Sequence, residues 1–96
     1  MGLPKFFQSW FPSYDLTRLN IKKDKNLIVT QILNFGTEKE IEWLGKNYSQ
    51  EEIEEVVRFP ISGMWMKSVL LYWLNIFGIK ISQNNLGKAI INLNSI

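Results

Sequence analysis

Two short strings, "TEKE" at Thr37–Glu40 and "SQEE" at Ser49–Glu52, constrain this chain more than any other feature of it. Each is a capping box: the threonine or serine hydroxyl can accept from the amide three residues on, and the glutamate there can reach back to the amide of the cap. Two helix starts at that separation leave room for one helix of about three turns and a tight turn. The pair therefore predicts a helix, turn, helix unit, and the remaining segments can be read outward from it.

Upstream, an amphipathic helix is predicted over about Ile21 to Phe35, with Asn20 and Asp24 as competing caps. At 100° per residue Ile28, Val29, Ile32, Leu33 and Phe35 share an arc, while Thr30, Gln31 and Asn34 fall opposite. Gly36 suits the left-handed position after a helix end. In the second helix Ile41, Leu44, Gly45 and Tyr48 form the inner face, with Gly45 offering a close backbone approach, and Trp43 projects with Lys39, Glu42 and Lys46. The third helix, about Gln50 to Phe59, turns Ile53, Val56 and Val57 inward. Its Glu51, Glu52 and Glu54 favour the helix dipole, Glu54 is spaced to pair with Arg58, and Pro60 ends it. A fourth, about Gly63 to Phe77, is apolar around most of its circumference, with Lys67, Ser68, Tyr72 and Asn75 as a narrow polar stripe, and is expected at the centre of the core. Gly78 stops it, "IKI" is extended, and Ser82 caps a last short helix that buries Leu86, Ala89, Ile90 and Leu93. The expected fold is all-α: a compact single-domain bundle of about five short helices over residues 1–96, with an aromatic arm, residues 1–20, packed on it.

With 96 residues, 46% hydrophobic and 14% aromatic, the chain can bury one core and offset its ordering entropy. It contains no cysteine and no histidine, which removes disulfides, thiol catalysis, the usual zinc sets and imidazole chemistry. Catalysis and a cofactor are not expected. The most apolar run, Val69 to Ile79, is far short of the roughly 20 residues that span a bilayer. The amino terminus lacks the apolar stretch of a secretory signal, so a cytoplasmic location is expected.

Charge is unevenly distributed. From Glu38 to Glu55 seven acids face two lysines, a net of −5, while the rest of the chain carries +7. Such polarity bears on partner choice rather than fold. Read as a DNA reader, the helix, turn, helix unit would offer Glu51, Glu54 and Glu55 to phosphates, where Arg, Lys, Asn or Gln is normal. Lys22, Lys23 and Lys25 at the first helix start, with Lys5, Lys80 and Lys88, are the better nucleic-acid contacts, although a solvated helix start is the favoured reading of them. The three glutamates could also hold a hard cation, but no complementary ligand motif accompanies them.

The stretch "LPKFFQSWFPSYD" sets Phe6, Phe7, Trp10, Phe11 and Tyr14 ahead of the first helix. An indole left on a charged face, as expected for Trp43, forgoes about 2 to 3 kcal/mol of burial. Either the arm covers it, through Phe7, Trp10 or Phe11, or a partner protein does.

The elements "SWFPSYDLTRLN", "KDKNLIVTQILNFGT", "EWLGKNYSQEEIEEVV" and "VLLYWLNIF" resemble a family of small prokaryotic proteins, some encoded beside nucleotidyltransferase-type abortive-infection toxins. That resemblance implies a non-enzymatic, antitoxin-like component that contacts a nucleotidyltransferase, with Trp10, Phe11, Trp43 and Trp73 serving one common architecture. Gly45 stands where the family pattern leads one to expect a bulky apolar residue. The leading expectation is a protein-binding module whose contact lies near Phe7, Trp10, Phe11 and Trp43, with Glu51, Glu54 and Glu55 supplying charge complementarity. The alternatives are a small DNA-binding regulator using Lys22, Lys23 and Lys25, and a structural subunit or homodimer.

Overall fold

A computed structural model describes residues 20–91 of the protein. Five helices follow one another: α1 Lys25–Phe35, α2 Glu38–Asn47, α3 Gln50–Arg58, α4 Lys67–Phe77 and α5 Gln83–Ala89. The fold is an all-α bundle. The aromatic arm and Leu93 lie outside the described residues.

The capping boxes form where the sequence puts them. Ser49 N–H donates to Glu52 Oε1 at 2.9 Å and Glu52 N–H returns to Ser49 Oγ at 3.1 Å. At Thr37 the N–H donates to Glu40 Oε1 at 3.1 Å and the hydroxyl to Oε2 at 2.8 Å. Glu40 is buried, and a donor on each carboxylate oxygen is what makes a buried carboxylate tolerable. Gly78 closes α4 as expected: at φ 65° it donates to the Asn75 carbonyl while Ile79 N–H reaches the Leu74 carbonyl at 2.9 Å, a complete Schellman motif.

The start of the first helix uses both candidate caps. Residues 21–24 form a turn, and α1 proper begins at Lys25 rather than Ile21. Asn20 Oδ1 accepts from the N–H groups of Lys22 and Lys23, each at 2.9 Å, and the Asp24 carboxylate accepts from Asn20 N–H at 2.8 Å. A polar side chain thus satisfies donors that the turn alone would leave open.

Gly36 is a glycine for a different reason from the one expected. Its φ of −71° and ψ of 152° are extended, not left-handed. A Cβ there would stand 2.6 Å from the Ile32 carbonyl oxygen and 2.9 Å from Ile32 Cγ2, so close approach at the α1–α2 corner excludes any side chain. Gly45 reverses the expectation. It is exposed, and a Cβ on it would meet nothing within 4 Å.

The central helix is α1, not α4. It packs against α2, α3 and α4, and it buries Ile28, Val29, Ile32 and Leu33 together with Thr30 from its polar arc. With three helices around it, α1 has no wet face left for Thr30 and Asn34. Helix α4 buries only Leu70 and Leu74 fully, and Val69, Trp73 and Phe77 partly.

The segment before α4 departs furthest from the sequence reading. Gly63 lies in a turn and residues 64–66 are extended, not helical, because their backbone groups are claimed from afar. Gly63 N–H donates to the Lys88 carbonyl at 2.8 Å, Trp65 N–H to the Ala89 carbonyl at 2.9 Å, and Ile91 N–H to the Trp65 carbonyl at 2.8 Å. This is a parallel bridge between Trp65 and Ile90. On the opposite flank the Asn34 side chain takes the place of a strand: its Oδ1 accepts from Met66 N–H at 3.0 Å and its Nδ2 donates to the Met64 carbonyl at 3.3 Å. Trp65, held between them, is fully buried.

Candidate functional site

Of the sequence-predicted contact residues, Trp43, Glu51, Glu54 and Glu55 fall among the described residues. Phe7, Trp10 and Phe11 lie outside the described residues. Trp43 is not on the wet face of α2; it is half-buried against the core, its ring edge-on to Tyr48 at 6.2 Å between centroids. Tyr48 is the residue that caps the end of α2, so it comes back over the helix and covers an indole that helical spacing alone would leave outside.

The three glutamates on α3 also take different roles. Glu51 is exposed; Glu54 accepts from the Gln50 side-chain amide at 2.8 Å in place of the expected pairing with Arg58; Glu55 forms an ion pair with Lys25 at 3.3 Å. Lys22 and Lys23 are exposed, whereas Lys25 is tied to Glu55. Glu52 sits lower than the ordinary carboxylate range, chiefly because Ser49 N–H stabilises its anion, with Lys25 and Lys22 adding attraction. The basic start of α1 and the acidic α3 are therefore neighbours that partly neutralise each other, which weakens the phosphate surface expected of Lys22, Lys23 and Lys25. Among the described residues no group of three or more acidic side chains is placed to hold a metal ion.

The same corner contains a polar latch. Tyr48 donates its hydroxyl proton to the Ile21 carbonyl at 2.6 Å. Burial, reinforced by the negative charges of Glu52 and Asp24, pushes this phenol up to about 12. The group is therefore a neutral donor across the physiological range, with a structural rather than an acid–base role.

What the sequence did not single out is the surface around the start of α4. Leu71, Tyr72 and Ile76 are 43%, 57% and 53% exposed, so the helix read as the core's centre in fact presents an apolar outer face. Beside it lies a depression of about 700 Å³ walled by Phe35, Met66, Leu71, Ile90 and Ile91, with Lys67 and Ser68 on its rim. A second depression, about 340 Å³, continues past Lys67 and the Ile90–Ile91 segment to Gln83, Leu86 and Gly87 on α5. The two share Lys67, Ile90 and Ile91 and so adjoin as a groove beside α4. Lys67 is the one charged residue among the described residues lining it, and from Phe59 onward the sequence carries Lys67, Lys80 and Lys88 and no acid.

A third hollow, about 260 Å³, is bounded by Arg58, Phe59, Pro60, Ser62, Asn85 and Lys88. It is the smallest of the three. Its Ser62 hydroxyl is already engaged with the Lys88 carbonyl at 3.1 Å.

No helix among the described residues is long and apolar enough to cross a membrane. Neither the curated proteins nor the solved structures offer a match to this chain. Residues 6–57, from the aromatic arm through α3, match the family of unknown function DUF6922, and the chain belongs to that family.

Proposed function

We propose that this chain acts by binding another protein, through the outer face of α4 and the groove beside it. The observation that carries this reading is the run of large apolar side chains left in solvent at Leu71, Tyr72 and Ile76, continuous through Leu71 with the groove wall. A patch of that kind on a small domain is costly to leave uncovered and is the usual mark of a partner surface. This reading puts the contact on α4, in the second half of the chain, whereas sequence reasoning put it near Phe7, Trp10, Phe11, Trp43 and the α3 glutamates. The role is one of binding rather than catalysis: without histidine or cysteine the chain lacks the side chains most often recruited as base and nucleophile. The resemblance carried by the arm, the first three helices and the aromatic run of α4 makes a nucleotidyltransferase-type toxin the first partner to try, which would give the chain an antitoxin-like role.

The test is retention from native cell extract on the tagged protein, alongside the double variant Tyr72→Glu, Ile76→Glu. Both positions are more than half exposed, so circular dichroism should show an intact helical fold. One discrete protein held by the wild type and lost with the variant supports the reading. The same proteins on both, or none on either, overturns it, and nucleic acid released at high salt would replace it with the regulator alternative.

A further inference from the structure

Among the described residues, the groove is bordered by a backbone edge left open at Ile90. In the parallel bridge Trp65 uses both its N–H and its carbonyl, bonding Ala89 and Ile91, so the backbone groups of Ile90 between them point the other way. Neither the N–H nor the carbonyl of Ile90 makes a hydrogen bond among the described residues. An unpaired edge of this kind is a template for another extended chain. Ile90 and Ile91 also line both depressions, so a strand laid along this edge would run beside both hollows.

Charge selects among occupants. Lys67 lines both depressions, is exposed, and makes no ion pair among the described residues. An occupant that brings a carboxylate to Lys67 gains an attraction that the chain from Phe59 onward does not supply, since no acidic residue follows Glu55. A second copy docking edge to edge would set Lys67 against its own counterpart. Residues 92–96 offer no acidic side chain.

We propose that the Ile90 edge accepts a strand from a partner protein: an extended segment with small or branched apolar side chains flanking one carboxylate, hydrogen-bonded to Ile90 N–H and carbonyl and paired with Lys67. The proposal rests on the protein-binding reading above and specifies its chemistry. Main-chain bonds give such a contact its affinity, and the hollows and the lysine give it its selectivity.

The probe is an acetylated, amidated pentapeptide of valine with a central aspartate, titrated into the full-length, nitrogen-15-labelled protein while the backbone amides are followed by NMR. The Ile90 and Ile91 amides should shift, and a central lysine in place of the aspartate should weaken binding by about tenfold or more, the loss expected when an attractive contact becomes a repulsive one. Methylating the peptide's backbone nitrogens should abolish the shifts. Lys67→Glu should reverse the preference between the two peptides. Unmoved Ile90 and Ile91 amides at millimolar peptide, indifference to the central charge, or binding that survives methylation would each overturn the proposal. So would an Ile90 amide already protected in the dilute free protein, which would mean the chain's own residues fill the edge. Protection that rises with protein concentration would mean a second copy fills it, and would overturn the proposal equally. Loss of a captured partner on Tyr72→Glu, Ile76→Glu but not on Lys67→Glu would leave the protein-binding reading standing and remove only the strand-addition mode.

Discussion

Asn34 holds Met66 in place across the chain: Met66 N–H, at the start of α4, donates to Asn34 Oδ1 at 3.0 Å from the last turn of α1. The same amide group donates to the carbonyls of Thr30 and Met64, at 2.8 and 3.3 Å. One side chain therefore terminates the packing of α1 and orients α4. Asn34→Ala should lower unfolding free energy by about 1 to 3 kcal/mol, the cost of partly buried groups left without partners. Asn34→Asp keeps the acceptor and loses the donor, placing an anion against two carbonyls, so it should be destabilised at neutral pH and recover in acid. Urea unfolding at two pH values checks both.

Two glycines should respond oppositely to alanine. Gly36→Ala drives a Cβ into the Ile32 carbonyl, a backbone atom that cannot swing aside, and should cost about 1 to 3 kcal/mol as an overpacking strain. Gly45→Ala meets open space inside α2 and should stabilise by about 0.5 to 1 kcal/mol through helix propensity. Thermal melts of the two variants beside the wild type separate a glycine required by contact from one that is not.

Thr30 is fully buried in α1 and its hydroxyl makes no hydrogen bond among the described residues. Thr30→Val keeps the shape and removes the unpaired group, so it should raise stability by about 1 kcal/mol. A lower urea midpoint in the variant would show that the hydroxyl has a partner in solution.

Tyr48→Phe removes the bond to the Ile21 carbonyl and should cost about 1 kcal/mol at neutral pH. Because the folded phenol is raised to about 12 from an ordinary value near 10, its contribution is fully present below pH 10 and is lost as pH rises through about 12. The wild type should therefore lose stability over that alkaline window more steeply than Tyr48→Phe. Ultraviolet absorbance of tyrosinate, with and without Tyr48, follows the same group directly.

What was legible in the sequence was what neighbouring residues decide among themselves. Thr37 with Glu40, Ser49 with Glu52, Ser82 with Asn85 and Gly78 at the end of α4 are all local arrangements, and each forms. Gly36 was legible as a break but not as a contact, since a glycine codes equally for a free φ and for a missing Cβ. The segment 63–66 looked helical because Met64 and Trp65 continue the apolar pattern of α4. Its partners Lys88, Ala89 and Ile91 are distant in sequence, and no periodicity announces them. The groove was hidden for the same reason, since its edge exists only once Trp65 has paired with Ile90. Trp43 was misplaced because spacing along one helix shows which residues share a face, but not that the Tyr48 ring at the end of α2 turns edge-on against the indole.

The pairing of Trp65 with Ile90 also sets an order of events during synthesis. Helices α1 to α3 and their capping boxes precede Trp65 in the chain and can begin to assemble as they emerge. Trp65 cannot be locked in until Ala89 and Ile91 have been made, so through the translation of α4 and α5 the nascent domain holds its largest core side chain without the backbone bonds that seat it. Until residues 89–91 are made, the Trp65 segment lacks its partners and is open to a chaperone or a protease.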